Sequence, residues 1–282
     1  MSIKDYLKRG IRFIIKGVPI VKTNVMLYQI DQKHIFDGKS FIVTGGSSGI
    51  GYEIANKIIQ YGGTVLITGR NEGKLNVAST KLGKNCYSLV FDSSNIDNCD
   101  VFIENAHKIL NGDVDGLICN AGVSLHEKNI FHVSIEGYKK QFATNLDGYY
   151  FLVQAYLKAM DKRNSHNVLM ISSERGIQCD DVPYGLTKAA INSLVKGLNR
   201  RFYSSGVRVN AIAPGVTLSE MNPEKISRDN MYTDRISSNR YFLPEEIAEV
   251  AAFLLSDAAK CISGEVIACD AGNYLDSYIT GI

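Results

Sequence analysis

Tyr184 and Lys188 stand four positions apart in the string Tyr184-Gly185-Leu186-Thr187-Lys188. On a helix that spacing puts a phenol and an ammonium on one face, one turn apart. A phenol of pKa ~10 exchanges protons poorly at neutral pH unless a nearby cation stabilises its anion. Lys188 offers that cation, so the pair reads as an acid–base couple. With 15 Tyr and 20 Lys in 282 residues, chance alone produces about one such spacing, and the weight of the pair comes from its register after the fifth apolar run. A second string, Gly45-Gly46-Ser47-Ser48-Gly49-Ile50-Gly51, joins an apolar run at 41–44 to a helical stretch. Glycines there permit a tight turn and a close backbone approach to a pyrophosphate, whose charge suits a helix N-terminus. The spacing is not Gly-x-Gly-x-x-Gly, so the strand–turn–helix setting is what points to a nucleotide.

Both strings need a scaffold that brings strand ends together. Short β-branched or apolar runs recur at 40–44, 64–68, 87–91, 115–119, 167–172, 207–212 and 265–269, with helical stretches such as 50–61 and 138–160 between most of them. Seven strands separated by helices predict a parallel sheet covered on both faces, an α/β doubly wound fold in a single domain over 39–282. Ligands of such sheets bind beyond the carboxyl ends of the strands.

Residues 1–38 form an N-terminal extension of different character. Lys4, Lys8, Arg9, Arg12, Lys16 and Lys22 face only Asp5, and Leu7, Ile11, Ile14, Ile15 and Val18 recur at helical steps before Pro19. This predicts a short basic amphipathic helix over residues 1–22 that packs on its own domain, covers a partner subunit, or makes peripheral contact with an anionic membrane surface. Over the whole chain 31 Lys+Arg balance 29 Asp+Glu for a net +2, which argues against a nucleic-acid partner. The six cysteines form no C-x-x-C pair and the histidines no H-E-x-x-H, so no metal site is expected. Scattered cysteines without a signal peptide point to a cytoplasmic protein, and no apolar run is long enough to span a membrane. His126 and His132 read as ordinary loop residues.

The string Thr-Gly-x-x-x-Gly-x-Gly at 44–51 resembles that of the short-chain dehydrogenase/reductase family, in its compact single-domain branch; the extended branch would carry glycine where Ser48 stands. The resemblance covers about residues 39–272 and implies a Rossmann-like sheet of about seven strands. It also implies that Gly45, Ser47, Ser48, Gly49, Ile50 and Gly51 cradle a dinucleotide. Asp92, followed by Ser93, would lie beside the adenine, and Asn120-Ala121-Gly122 would support sheet and cofactor. Pro214-Gly215, Thr217 and Ser219 would border the nicotinamide. Segments 240–248 and 264–272 are similar to the family's closing helix and last strand.

Within that family, Tyr184 is the general acid–base and Lys188 also meets the nicotinamide ribose. Ser173, with Gly176 three residues on, matches Ser-x-x-Gly, whose hydroxyl donates to the reacting carbonyl oxygen; adjacent Ser172 is the alternative. Ser173 precedes Tyr184 by 11 positions, about two fewer than is usual in the family. Asn145, followed by Gly148, matches an Asn that holds a water in a proton path to the Lys, or is simply a polar residue of a long helix. After the second strand, Gly69 occupies the position where an acid would accept from the ribose of NAD(H), and Arg70 follows with a fork suited to the 2′-phosphate of NADP(H). NADP(H) is favoured and NAD(H) is the alternative. Residues 222–240 would form a lid, and its Arg228, Arg235, Arg240, Met231 and Tyr232, with Tyr241 just beyond, suit a polar or anionic substrate such as a carrier-bound acyl thioester or a sugar derivative, unless they are only a solvated mobile loop.

The expected function is an oxidoreductase that interconverts a ketone and a secondary alcohol, with 3-oxoacyl-carrier-protein reductase as its specific form. A non-catalytic nucleotide-binding scaffold or sensor on the same fold is the alternative of another class. The resemblance further implies a homodimer or homotetramer.

Overall fold

The seven apolar runs pair as one parallel sheet in the order β3-β2-β1-β4-β5-β6-β7. The computed structural model describes residues 34–161, 165–221, 228–233, 236 and 238–278. The strands are β1 (Ser40–Thr44), β2 (Thr64–Gly69), β3 (Cys86–Val90), β4 (Gly116–Cys119), β5 (His166–Ile171), β6 (Val207–Pro214) and β7 (Val266–Cys269). Each lies within two residues of the run expected for it. Between them run α1 (Gly49–Gln60), α2 (Glu72–Leu82), α3 (Cys99–Ile109), α4 (Ile135–Phe142), α5 (Gly148–Ala159), α6 (Pro183–Phe202) and α7 (Pro244–Leu255).

Alternation along β1 explains why helices cover both faces. Ile42 joins a core with Phe102, Ile103, Leu152, Ile191 and Val195 from α3, α5 and α6. Phe41 and Val43 point the other way, into a core with Ile54, Ile58, Ile247 and Leu254 from α1 and α7. Each side chain of this size stabilises the fold by about 1.5–3 kcal/mol when fully buried, so a strand apolar on both faces settles at the centre of the sheet. Because β1 pairs with both β2 and β4, the chain reverses its winding direction there and opens a crevice at their carboxyl ends.

Apolar packing begins ahead of Lys39: Phe36 is fully buried and meets the rings of Phe41 and Tyr61 at 5.1 and 6.3 Å. The predicted amphipathic helix over residues 1–22 lies outside the described residues. Among those residues, no helix is long and apolar enough to cross a membrane.

The helix expected without interruption over 138–160 is instead broken. A π-helical turn, Ala143–Asp147, separates α4 from α5. Gly148 lies directly against the backbone of Ser93, where a Cβ would collide, and Asn145 turns inward to the loop after β4. The wider turn re-aims the chain to satisfy both constraints.

The lid also differs from expectation. Arg240 forms a two-pronged pair with Glu246 at 2.8 and 2.7 Å, and Arg228 pairs with Glu245 at 2.5 Å. These guanidiniums tie the lid to the start of α7. Met231, Tyr241 and Leu243 form a small apolar cluster beneath them. Arg235 lies outside the described residues.

Candidate active site

A crevice of about 1100 Å³ runs along the carboxyl ends of the strands and receives residues from the segment after each of β1 through β6. Its floor is the glycine turn. Gly45 and Gly49 have φ of +63° and +56°, a left-handed backbone that costs a side chain energy and glycine almost none. A Cβ on Gly45 would stand 3.0 Å from the Ala121 backbone. Gly51 is buried in α1, where a Cβ would overlap the Asn120 amide and the Gly45 carbonyl. Asn120 explains the tightness: its Nδ2 donates to the carbonyls of Thr44 and Gly45 at 2.9 and 3.0 Å, and its backbone N–H donates to Thr44 Oγ1 at 2.9 Å. Ser48 begins α1 without a side-chain cap, which leaves the first-turn N–H groups and the positive end of the helix dipole to the crevice.

Ser172, Ser173, Tyr184 and Lys188 all line this crevice, but their bonding separates them. Ser172 Oγ donates to Asn192 Oδ1 at 2.6 Å and lies 3.2 Å from the Lys188 carbonyl, so this alternative serine is committed to α6. Ser173 caps the short turn Glu174–Gly176, and its hydroxyl lowers the proton affinity of Tyr184. Lys188 is buried, and its Nζ donates to the Ile171 carbonyl at 2.7 Å. That ammonium stands 5.3 Å from the Tyr149 ring centroid and 5.7 Å from that of Tyr184. Burial pushes its pKa down to about 7, opposed by the Cys119 thiol. Burial also raises the Tyr184 pKa; the hydrogen bond to Ser173 and the charge of Arg175 pull it back, while Glu174 and Asp180 push it further up. Lys188 faces the ring and a carbonyl, and the groups that draw Tyr184 down in this state are Ser173 and Arg175.

Asn145 and Gly51 stand behind the crevice wall. The Asn145 amide exchanges two hydrogen bonds with the Val123 backbone, at 2.8 and 2.9 Å, and lies 3.3 Å from Thr187 Oγ1 on α6. It fastens the loop after β4 to the helix that carries Lys188. Asp92 accepts from the Ser94 N–H and hydroxyl at 3.0 and 2.8 Å, and Ser93 is buried beside it. Gly215 is wedged between Asp270 and Phe242, Thr217 Oγ1 donates to the Gly215 carbonyl at 2.9 Å, and Ser219 faces Gly49.

At the mouth, exposed Arg70 is joined by Lys74, which sequence reasoning did not single out, and by His126, which it read as an ordinary loop residue. Lys74, one turn into α2, forms an ion pair with Glu220 at 2.7 Å. His126 Nε2 lies 2.7 Å from the Met221 carbonyl, so the loop after β4 touches the segment that follows Ser219. Arg175, Asp180 and Glu174 also belong to the site. Their only prior signal was the short spacing between Ser173 and Tyr184.

A dinucleotide fits these residues. The glycine backbone leaves room that side chains would fill. Buried Lys188 has three donors and, among the described residues, one hydrogen-bond acceptor, the Ile171 carbonyl, so oxygens arriving in the crevice would complete its shell.

Residues 45–273 match a family model described as enoyl-(acyl carrier protein) reductase. The 3-oxoacyl-[acyl-carrier-protein] reductase FabG of Rickettsia felis is 31% identical over 238 residues, 83% of this chain and 96% of the relative. A tropinone reductase homolog of Arabidopsis thaliana is 29% identical over 249 residues, 86% of this chain and 93% of that protein. Among solved structures, a short-chain dehydrogenase/reductase from Brucella melitensis, described as glucose/ribitol dehydrogenase, superposes with a TM-score of 0.78 at 27% identity, over 86% of this chain and 99% of that one. The sheet order, the glycine cradle and the matches thus lead to one conclusion: the chain belongs to the short-chain dehydrogenase/reductase family, the nicotinamide-dependent oxidoreductases that act on C=O and CH–OH groups.

Proposed function

We propose that this enzyme is an NADP(H)-dependent ketone reductase in which Tyr184 delivers the proton, and that 3-oxoacyl thioesters are its substrate class. The observation that carries the reading is the meeting of Ser173, Tyr184 and Lys188 in one crevice with the uncapped glycine turn. When bound, the nicotinamide supplies the hydride that reaches the carbonyl carbon. The charge then developing on the carbonyl oxygen is met by the Tyr184 hydroxyl, which donates its proton, and by the Ser173 hydroxyl, which donates a hydrogen bond. Protonated Lys188 beneath the Tyr184 ring stabilises the phenolate left behind. Asn145 keeps the loop at Val123 and the helix at Thr187 in register.

Phosphate preference rests on Arg70 and Lys74 at the mouth and on Gly69 in place of an acid. The thioester assignment is supported by the name of the Rickettsia felis relative. A homo-oligomer is supported by apolar side chains that α4 and α5 leave exposed, namely Ile135, Tyr138, Tyr150 and Phe151. The test is turnover of acetoacetyl-N-acetylcysteamine with NADPH by wild type and Tyr184→Phe. The variant is expected to bind NADPH as wild type does and to lose about 10²–10⁴ in kcat, the scale of a general acid. Full turnover by Tyr184→Phe refutes the assignment.

A further inference from the structure

The connection from Ser173 to Tyr184 carries a charged pair that the reaction as described does not use. Arg175 Nε lies 2.6 Å from Asp180 Oδ2, and its Nη2 donates to Asp180 Oδ1 at 2.8 Å. Arg175 reaches the crevice, with 39% of its side chain exposed against 6% for Asp180. Each residue of the pair also makes a contact at or next to Ser173 or Tyr184. The Arg175 N–H donates to Ser173 Oγ at 3.3 Å. Asp180 Oδ1 accepts from the Val182 N–H at 3.2 Å, two residues before Tyr184, and its side chain fills the space that a Cβ of Gly185, the residue after Tyr184, would need. The ion pair therefore spans the connection from its first turn to the start of α6 and touches the neighbours of both Ser173 and Tyr184.

We propose that the Arg175–Asp180 pair is a strap that holds the Ser173–Tyr184 couple in register, with Arg175 as a positioning residue. This rests on the reading of Tyr184 as the proton donor. Among the charged and titratable groups that face Tyr184, Arg175 lowers its proton affinity, as does the Ser173 hydrogen bond, whereas Glu174 and Asp180 raise it. From α6 Lys188 lies over its ring, and from α5 Tyr149 is its titratable neighbour. Asp180 alone would thus work against ionisation; held to Arg175, it fixes in place the cation that works for it.

The test uses the full chain labelled with 3-fluorotyrosine, which brings phenols into an accessible titration range, and follows the ¹⁹F resonance that Tyr184→Phe removes. Arg175→Met is expected to raise the Tyr184 midpoint by about one pH unit, a tenfold gain in proton affinity, and Arg175→Lys to recover at least half of that shift. Asp180→Ala is expected to raise the midpoint too, because the guanidinium loses its anchor, although deletion of a negative charge by itself would lower it. An unmoved midpoint in Arg175→Met, or a lowered one in Asp180→Ala, overturns the strap. Arg175 is part-exposed, so Arg175→Met keeps the test open if Asp180→Ala does not fold. The titration needs no turnover: a failed strap with an inactive Tyr184→Phe leaves the catalytic assignment standing, and a fully active Tyr184→Phe removes that assignment whatever the titration gives.

Discussion

Occupation of the crevice should draw a proton onto Lys188. The ammonium is buried with one carbonyl acceptor, and burial holds its pKa at about 7. At pH 8 only about one-tenth of the free protein carries the charge there, by the usual tenfold per unit. A ligand that brings oxygen acceptors to Nζ returns the pKa toward the ordinary lysine range, and nearly one proton must then be taken up per site. The same displacement makes the fold gain stability as pH rises from about 7 toward 10.5, because across that window the unfolded chain binds more protons than the folded one. Calorimetric titration of NADPH at pH 8 in phosphate and in Tris, whose ionisation enthalpies differ widely, reads the uptake from the slope of observed enthalpy against buffer enthalpy. We expect a slope of roughly 0.5–0.9 proton for wild type. In Lys188→Met it should fall close to zero, and the subtraction removes any contribution from groups other than Lys188. Equal slopes in the two proteins would mean that Lys188 is already charged in the free enzyme, and the account of its electrostatics would be wrong.

Three other substitutions probe separate parts of the site. Ser172→Ala should cost about 1 kcal/mol of stability, measured by urea unfolding, as its bond to Asn192 is lost, with turnover nearly intact. Ser173→Ala should lose about 10²–10³ in kcat, with a stability cost of about 0.5–2 kcal/mol from the lost cap of the Glu174–Gly176 turn. Arg70→Ala should weaken NADPH binding by about 1–3 kcal/mol, the scale of a lost charge-assisted hydrogen bond, and leave NADH binding unchanged; parallel loss for both cofactors would place the 2′-phosphate elsewhere. Gly51→Ala should destabilise the fold by about 1–3 kcal/mol through overpacking against Asn120 and Gly45, read as a lowered Tm.

Some of this was legible in the amino-acid order because the physics is local. A strand such as β1, apolar at consecutive positions, announces burial on both faces, and glycines at 45 and 49 announce a backbone that side chains resist. Tyr184 and Lys188 declare a shared helix face by spacing alone. What could not be read depends on contacts between distant segments. The π turn before α5 answers a collision between Gly148 and Ser93, more than fifty positions apart. Arg228 and Arg240 look unpaired in the sequence, and only the fold brings Glu245 and Glu246 onto them. Ser172 and Ser173 are chemically identical neighbours, and only the position of Asn192, twenty residues away, gives one a structural bond and leaves the other to the crevice.

The catalytic pair shows why spacing did not suffice to assign its charges. A helical turn brings an ammonium beside a phenol, and in water that proximity alone would favour the phenolate. Within the protein, burial resists charge on both groups at once: it lowers the proton affinity of Lys188 and raises that of Tyr184. Both effects favour the neutral pair, so the free site disfavours the charge separation that proton transfer requires. Two things can reverse this. One is built into the chain, the hydrogen bond from Ser173 with the nearby Arg175 guanidinium, and acts on the phenol. The other must arrive with a ligand whose oxygens complete the shell of Lys188 and let it hold its proton. On this reasoning the acidity of Tyr184 is conditional: Ser173 and Arg175 prepare it, and occupation of the cradle over Gly45 and Gly49 completes it, which couples proton donation to the presence of the cofactor.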